Sequence, residues 1–397
     1  MYRINVKLKE TCRHLLKSVL WYFPLRDYIV FESNPAFSCN TYPVFLQLRK
    51  DFPDYKLIWS IDRNTRQIPS GVDDIIYEKP DSIYERFKTF YFLNRCRLLV
   101  SCNCVLEKQN DRQISIFLCH GSKTKKTRGV YEVGGKVDFV NVQSHFFDDV
   151  ILYEYNCRKD QLVYLGYPRC DFFYKKSDKN IAKLLFHCET ARFCIWLPTL
   201  RRQISGRDDV GESGYHCIGM PLIYSKKALF LFNRFLEEIQ VHILFKPHPT
   251  QDVKSLAKES LSNIHIITDR DLQDKGLQLY EVIAQSDALI TDYSSVFFDY
   301  LLLDRPIATT TDDIENWKSR RGFAFDLEAL YEKATVRIPD LETLQKFILQ
   351  VLSGKDMKAA GRREVKSLTN RYCDGNSAKR VSDFLKEKLD LTIKKRI

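Results

Sequence analysis

The sequence contains no apolar run long enough to cross a lipid bilayer, which needs about 18–20 residues. Its N-terminus also lacks the layout of a secretory signal, because Lys and Arg residues are interleaved with the apolar ones. Internal repeats of short period and low-complexity segments are absent as well. We therefore expect neither a membrane span nor a repetitive or disordered chain.

Cysteine is abundant, yet its spacing fits neither a metal site nor a disulfide scaffold. The twelve cysteines include one close pair, Cys102 and Cys104, and no C-x-x-C or Cys/His set has zinc spacing. Disulfide scaffolds belong mainly to small secreted domains, whereas this chain has 397 residues. The cysteines are therefore predicted to be reduced cytosolic thiols that mostly fill the core.

Length and charge narrow the class of protein. A chain of 397 residues is expected to form two domains of about 150–200 residues each. Its 44% hydrophobic and 13% aromatic content is sufficient for a folded core. The net charge of +11 favours an anionic partner such as a nucleotide, a phosphorylated polymer or an anionic membrane, without choosing among them.

Basic and aromatic residues meet at the N-terminus. Residues 3–23 carry five Lys or Arg among apolar residues and end in Trp21-Tyr22-Phe23. This pattern suits an interfacial helix on an anionic membrane, but a first helix packed against the domain has the same pattern. Lys394-Lys395-Arg396 adds a basic patch that also fits a solvated tail.

Short apolar runs alternate with longer amphipathic stretches along the chain. Parallel sheets wound by right-handed crossovers produce this alternation. Strands are predicted at 28–32, 56–60, 98–101, 114–119, 139–142 and 161–165, and then at 193–197, 242–245, 264–268, 288–291 and 306–309. The clearest helices are predicted at 82–95, 224–239, 277–286, 294–304 and 341–352. The two series predict an α/β protein of two doubly wound, Rossmann-like domains that face a central cleft.

The predicted domains follow from these two series. They are a basic amphipathic N-terminal helix at 1–24, a first Rossmann-like domain at 25–175, a second Rossmann-like domain at 176–375, and a C-terminal helix with a basic tail at 376–397. A long polar loop at 201–219 follows a predicted strand, and such loops are usually functional or mobile.

Four groups of polar residues follow predicted strands, at the edge where doubly wound sheets bind ligands. They are His120-Gly121-Ser122-Lys123, Pro198-Thr199-Leu200-Arg201, Lys246-Pro247-His248-Pro249 and Asp292 to Asp299. His120 has the residue type for a general base, although a single histidine is more often structural. The prolines flanking His248 restrict the turn that carries it and Lys246.

The run Thr291-Asp292-Tyr293-Ser294-Ser295 lies between a predicted strand and a predicted helix. Helix N-termini bind anions, and Ser294 and Ser295 are predicted both to cap the helix and to contact phosphate. Asp299, about one turn inside, is predicted to accept from sugar hydroxyls. An ordinary N-capped helix remains the alternative for this run alone.

In this order, the motifs resemble those of the CDP-glycerol glycerophosphotransferases, the primases and polymerases of teichoic acids and related capsular polymers. The motifs that carry the resemblance, over about residues 28–370, are His120-Gly121-Ser122, Gly166-Tyr167-Pro168-Arg169-Cys170-Asp171, Leu197-Pro198-Thr199-Leu200-Arg201, Phe245-Lys246-Pro247-His248-Pro249 and the run from Thr291 to Tyr300. The resemblance implies a GT-B fold in which residues 176–375 form the nucleotide-binding domain and residues 25–175 the acceptor-side domain.

Two motifs depart from the family pattern. Where the family has Trp-His-Gly-Thr-Pro-Leu-Lys, this chain has Cys119-His120-Gly121-Ser122-Lys123-Thr124-Lys125. The family's Pro-Thr-Trp-Arg is Pro198-Thr199-Leu200-Arg201 here. The changes leave the acceptor, and the alcohol of the donor, open.

The resemblance implies transfer of glycerol phosphate or ribitol phosphate from a CDP-alditol to an acceptor hydroxyl, with release of CMP. His120 is then the base, and His248 and Lys246 neutralise the leaving group together with Arg201, Ser294 and Ser295. Thr199 and Arg169 complete the predicted donor site, and Asp299 holds hydroxyls. The scheme needs no cofactor and no metal, and Asp208-Asp209 is a weak magnesium candidate.

The predicted partners are a CDP-alditol, a lipid-linked or polymeric acceptor and an anionic membrane surface, without nucleic acid. The predicted location is peripheral, on the cytoplasmic face of the cell membrane. Two alternatives remain: a GT-B glycosyltransferase that uses a nucleotide sugar, and a non-catalytic protein that binds the membrane surface.

Overall fold

The computed structural model describes residues 18–126, 131–200, 219–248, 251 and 256–394. These residues form a seven-stranded sheet followed by a six-stranded sheet, and all the strand pairs within them are parallel. The α/β fold with two Rossmann-like halves, predicted from the alternating pattern, is therefore confirmed, and the GT-B arrangement with it.

The first sheet has the strand order β3-β2-β1-β4-β5-β6-β7. Its strands are β1 Arg26–Glu32, β2 Lys56–Ile61, β3 Asp74–Tyr77, β4 Cys96–Ser101, β5 Ile114–Phe117, β6 Phe139–Asn141 and β7 Leu162–Val163. Ile29, Val30 and Phe31 have no exposed surface although they alternate between faces. Burial on both faces is the reason why such strands read as continuous apolar runs.

The second sheet has the order β10-β9-β8-β11-β12-β13. Its strands are β8 Arg192–Leu197, β9 Val241–Phe245, β10 Ile264–Ile266, β11 Ala288–Thr291, β12 Ile307–Thr310 and β13 Val336–Ile338. In each sheet the strand order reverses beside the first strand, between β1 and β4 and between β8 and β11. Loops that leave the sheet at such a point diverge and open a crevice.

Helices cover the faces of both sheets. Those of the first half are α1 Thr41–Asp51, α2 Ile83–Arg95 and α3 Asp148–Glu154. The helices that follow are α4 Ile181–Phe186, α5 Lys226–Glu238, α6 Asp269–Asp274, α7 Leu279–Ile283, α8 Val296–Tyr300, α9 Ile314–Arg320, α10 Leu327–Ala334, α11 Leu341–Leu352, α12 Ala359–Thr369 and α13 Ser377–Lys394. The start of α2 is fixed by a capping box between Ser82 and Glu85, which satisfies backbone N–H groups at both residues.

The last helix crosses back to the first sheet. Apolar side chains of α13, among them Val381 and Leu385, belong to the same buried cluster as β1 and β2. The carboxylate of Asp171 accepts hydrogen bonds from the backbone N–H groups of Ser377 and Ala378, at 2.9 and 2.8 Å. The segment between the two sheets, which carries Asp171, therefore also fixes the start of α13, and α13 packs against the first sheet.

Several details differ from the sequence predictions. The edge strands β3 and β13 were not predicted, because they have only four and three residues and are partly exposed. The predicted helix at 294–304 is a helix of five residues followed by a 3₁₀ turn at Leu301–Leu303. The domain boundaries, including the one at residue 175, stay predictions.

Two further predictions concern membrane-spanning helices and the oxidation state of the cysteines. Among the described residues, no helix is both long and apolar enough to cross a membrane. The ten cysteines that lie in the described part of the chain are all free thiols.

Candidate active site

A cavity of about 290 Å³ lies between the carboxyl ends of the two sheets. Six of the nine predicted site residues line it: His120, Arg169, Lys246, His248, Ser294 and Ser295. Thr199 and Asp299 are not part of its wall. Arg201 lies outside the described residues, as do Asp208 and Asp209.

The turn that carries His120 is held by side chains from elsewhere in the chain. Cys119 has a φ of 54°, a left-handed conformation that is uncommon for residues other than glycine. The amide group of Asn40 donates to the carbonyls of Leu118 and Cys119, at 3.2 and 2.6 Å. Arg169 donates to the carbonyl of His120. These bonds fix the backbone from which the imidazole reaches the cavity.

The environment of His120 keeps its imidazole neutral. The ring has accessible surface, but that surface faces the cavity, and both halves of the protein surround it. This desolvation lowers the pKa of His120 from 6.5 to about 4, and the positive charges of Lys123 and Arg169 act in the same direction. At neutral pH the ring is therefore able to accept a proton.

Gly121 lies at a tight contact between the two halves. A Cβ atom added at Gly121 would lie 2.5 Å from Oγ of Ser295 and 3.2 Å from its Cβ. Gly121 also has a φ of 157°, at the edge of the region that favours glycine. The glycine after His120 therefore lets the loop of the first sheet contact the serine turn of the second.

A buried ion pair joins the two halves below the cavity. Nη2 of Arg169 lies 2.6 Å from Oδ2 of Asp299, and the hydroxyl of Tyr280 donates to the same oxygen at 2.5 Å. Arg169 is 4% exposed and Asp299 has no exposed surface. Removal of one partner from such a pair typically costs about 3–5 kcal/mol, because the other charge is left buried alone.

Asp299 therefore differs from its prediction. It was expected to accept from hydroxyls of the donor, yet in this conformation it is sealed from the cavity and bound to Arg169. Its Oδ1 is buried without a hydrogen-bond partner among the described residues. Its place in the structure is that of an anchor for Arg169.

Thr199 likewise binds another residue of the chain. Its backbone N–H and its hydroxyl both donate to the carboxylate of Asp292, at 2.9 and 3.0 Å. Asp292 is fully buried, and Thr199 is 7% exposed. The Pro-Thr motif thus connects the end of β8 to the start of the serine turn, and the hydroxyl of Thr199 is bound to Asp292.

Lys246 and His248 extend from the end of β9. Nζ of Lys246 lies 2.8 Å from Oδ1 of Asp269, the first residue of α6. His248 is exposed to the cavity, and its pKa is lowered by desolvation and by the charges of Lys125 and Lys246. At neutral pH this histidine is therefore mainly the neutral imidazole, which has one N–H donor.

Ser294 and Ser295 do not cap the following helix through their side chains. Ser295 already has helical angles, with φ of −64° and ψ of −17°, so its hydroxyl is not placed to accept from the next turn. The predicted capping bond is therefore wrong. Both serines are half-buried and line the same cavity as His120, Lys246 and His248.

A second set of contacts joins Thr124 and Lys125, in the loop after His120, to the second half of the protein. Lys125 forms an antiparallel β-bridge with Phe323, supported by a hydrogen bond of 3.0 Å from the N–H of Ala324 to the carbonyl of Thr124. The hydroxyl of Thr124 donates to the carbonyl of Tyr293 at 2.7 Å. The loop after His120 is thus bound directly to the second half of the protein.

The sequence did not reveal four residues that shape the site. Asn40, Cys39, Asp269 and Tyr280 hold or line the cavity through contacts with residues distant in sequence. Only Asp269 had a local signal, since Thr268 and Asp271 form a capping pattern that marks a helix start. Within the described ranges, no group of three or more His, Cys, Asp or Glu is arranged as a metal site.

The sequence of this chain is similar to those of known proteins. The family model described as CDP-Glycerol:Poly(glycerophosphate) glycerophosphotransferase matches residues 15–387. The teichoic acid poly(glycerol phosphate) polymerase of Bacillus spizizenii is 26% identical over 391 residues, which cover 90% of this chain and 91% of that protein. The teichoic acid ribitol-phosphate primase of the same organism is 26% identical over 58% of this chain and 54% of its own length.

A solved structure has the same fold. It is that of the wall teichoic acid polymerase TagF, in a histidine-to-asparagine variant soaked with CDPG for 15 minutes. The TM-score is 0.74 at 17% sequence identity, and the match covers 99% of this chain and 96% of that one.

Gly121→Ala is expected to destabilise the protein by about 1–3 kcal/mol, because its Cβ would overlap Ser295 and force the two halves apart. Chemical denaturation measures the change. Ser295→Gly in the same chain should recover part of the loss, since it removes the overlapping atoms.

Gly135→Ala is the matched control, because a Cβ there meets no atom within 4 Å. Equal stability changes for Gly121→Ala and Gly135→Ala would show that the contact between Gly121 and Ser295 does not constrain the fold.

Proposed function

Because the chain belongs to the CDP-glycerol:poly(glycerophosphate) glycerophosphotransferase family, we propose that it transfers an alditol phosphate from a CDP-alditol to an acceptor hydroxyl and releases CMP. One observation carries the proposal: His120, Arg169, Lys246, His248 and the two serines converge on a single cavity from both halves. Such a set combines a base with groups that bind a diphosphate.

The reaction forms one bond and breaks another at the same phosphorus. The acceptor oxygen attacks the phosphorus that carries the alditol, and the bond from that phosphorus to the oxygen of CMP breaks. An alcohol is a weak nucleophile at neutral pH, so its proton must go to a base. His120 is neutral, fixed at its backbone and open to the cavity, and it takes this role.

The leaving CMP gains negative charge as the bond breaks. Lys246 supplies a positive charge whose position is set by Asp269, and His248 donates an N–H hydrogen bond. The hydroxyls of Ser294 and Ser295 add donors on the same wall. Donors that are held in place before the reaction stabilise developing charge without reorganisation. Arg201 is proposed to add a further cation.

Arg169 and its partners hold other groups of the site in position. Arg169 binds the carbonyl of His120 and the carboxylate of Asp299, and Thr199 binds Asp292. These bonds set the positions of the base and of the serine turn. In this proposal Asp299 and Thr199 position other groups and do not contact the donor directly.

The membrane surface is the proposed location of the acceptor. Trp21, Tyr22 and Phe23 are 52%, 82% and 50% exposed, and the guanidinium groups of Arg112 and Arg95 stack on the rings of Trp21 and Phe23. Exposed aromatic rings beside cations favour binding to an anionic membrane. We place the protein at the cytoplasmic face of the cell membrane, where a lipid-linked or polymeric acceptor is available.

His120→Ala and His248→Ala are each expected to lower the rate of CMP release by at least about 10²-fold, because each removes a group that contacts the reacting atoms. CMP is quantified after incubation with CDP-glycerol or CDP-ribitol and a defined acceptor, with UDP-sugars as a comparison. His187→Asn, a change at an exposed histidine outside the cavity, should retain activity. Near-normal CMP release by either alanine variant would remove that histidine from the mechanism.

Donor binding is expected to take up protons below neutral pH. The diphosphate stabilises the protonated imidazole, so it raises the pKa of His120 from about 4 in the free protein. Between pH of about 4 and the higher pKa of His120 in the complex, the complex binds more protons than the free protein does. The affinity for the donor therefore increases as the pH falls through this window.

Calorimetry of CDP-glycerol binding in two buffers of different ionisation enthalpy measures this uptake. His120→Asn should reduce the uptake, and the double variant with His248→Asn should abolish it. A binding enthalpy that does not depend on the buffer in the unmodified protein would contradict the proposed contact between donor and histidines.

Replacement of Trp21, Tyr22 and Phe23 by serine is expected to shift the protein from phosphatidylglycerol-containing vesicles into solution, because their burial in the interface contributes to binding. Sedimentation with vesicles measures the bound fraction, and removal of residues 1–23 should have at least the same effect. Tyr153→Ser changes an aromatic residue that is 72% exposed elsewhere and serves as the control. Unchanged sedimentation of the triple variant would contradict the membrane role.

A further inference from the structure

The proposed reaction leaves the hydroxyl groups of the donor's alditol without a partner in the protein. Asp299 was predicted to bind them, but it is buried and paired with Arg169. The cation and the hydrogen-bond donors that line the cavity from the second sheet are assigned to the leaving CMP. The groups that bind the alditol must therefore come from the rest of the cavity wall.

Two side-chain amides line the cavity, one from each half of the protein. Asn103 follows β4 in the first half, and Gln273 lies in α6 in the second half. The lining residues 34–38 of the first half and 277–279 of the second are all uncharged. A neutral polar group with a carbon skeleton suits such a wall, whereas a diphosphate suits the wall that carries Lys246 and His248.

The hydrogen bonds around Asn103 determine which atom of its amide is available. Oδ1 accepts from the backbone N–H of Asn34 at 3.1 Å and from the thiol of Cys102 at 3.0 Å. A backbone N–H can only donate, so this bond identifies the oxygen of the amide. The carboxylate of Glu32 accepts from the backbone N–H groups of Cys102 and Asn103, at 3.1 and 3.0 Å, and fixes the turn. Nδ2 of Asn103 makes no hydrogen bond within the described residues and retains accessible surface, so it is an available donor.

Gln273 is available in the same way, and its place on α6 is informative. Its side chain makes no hydrogen bond within the described part of the chain and retains accessible surface. It lies four residues after Asp269, so the two side chains share one face of α6, about 5.4 Å apart along the axis. Asp269 is paired with Lys246, which is assigned to the diphosphate. Gln273 is thus one helical turn from the proposed phosphate-binding group, where it can reach the group that the phosphate carries.

A contact across the cleft joins the segments that carry the two amides. Nε2 of Gln278 donates to the carbonyl of Phe37 at 3.1 Å. Phe37 belongs to the loop after β1, whose N–H at Asn34 binds the amide oxygen of Asn103. Gln278 follows the end of α6 by four residues. The two amides therefore belong to wall segments that are bound to each other.

We propose that Asn103 and Gln273 bind the hydroxyl groups of the alditol that the donor carries. Asn103 donates to a hydroxyl oxygen, while the amide of Gln273 donates to one hydroxyl and accepts from another. Pro35 and Leu272 supply apolar surface for the carbon skeleton. The assignment rests on the proposed function, because it takes the donor to be a CDP-alditol. It separates the residues that recognise the transferred group from those that bind the diphosphate.

The test compares the binding of CDP-glycerol with that of CDP, which lacks the alditol, by calorimetry on the full-length chain. Gln273→Met keeps the length of the side chain and removes its hydrogen-bonding groups. It is expected to lower the affinity for CDP-glycerol by about fivefold, as is typical for the loss of one hydrogen bond, and to leave the affinity for CDP unchanged. Asn103→Ala should act in the same direction, and the double variant should lose more than either.

Gln345→Met is the matched control, since Gln345 is a partly buried residue of α11 outside the cavity wall. It should bind both ligands as the unmodified protein does. Asn103→Ala also removes the acceptor for the N–H of Asn34, so the stability of each variant is measured by chemical denaturation. If Asn103→Ala is unstable, Gln273→Met decides the outcome, because its side chain makes no such bond.

An unchanged affinity of Gln273→Met for CDP-glycerol, or an equal loss for CDP-glycerol and CDP, would overturn the alditol site and leave the proposed function in place. If the unmodified protein binds neither ligand, the proposed function fails and the alditol site fails with it. A loss confined to CDP-glycerol supports the alditol site.

Discussion

The buried ion pair between Arg169 and Asp299 is the interaction on which the site depends. Both charges are removed from water, and they are paired with each other only when the two halves of the protein are together. Arg169 also holds the carbonyl of His120 and contacts Cys39, while Tyr280 shares the carboxylate of Asp299. The same ion pair therefore holds the two halves together and fixes the position of the base.

Near this pair, other acidic residues fix one group in the cavity wall and one behind it. Asp269 holds Lys246, and Asp292 holds the backbone and hydroxyl of Thr199. Asp292 and Asp299 are buried behind the wall, whereas Asp269 lines the cavity beside Lys246. The imidazoles, the two serines and Lys246 are the lining groups that suit an anionic donor. Fixed donors in a partly desolvated cavity suit a reaction in which charge is transferred between phosphate oxygens.

The sequence predicted the cavity better than it predicted the contacts inside it. Groups at the ends of parallel strands meet at one edge of a sheet, so the placement of His120 and His248 near the cleft followed from their positions after predicted strands. The sequence predicted that Thr199 and Asp299 contact the donor, because the residues that they bind in the structure are distant in the sequence. Asp292 is 93 residues from Thr199, and Arg169 is 130 residues from Asp299.

The sequence by itself determined the α/β class, the two sheets and the family, because apolar periodicity and strand-end motifs are local signals. The tertiary structure decided which polar groups face the donor and which face each other. It showed that Gly121 is required by a contact across the cleft and that the pKa of His120 is lowered by its surroundings. Both depend on atoms brought together from distant parts of the chain, where distance and desolvation, rather than residue type, set the chemistry.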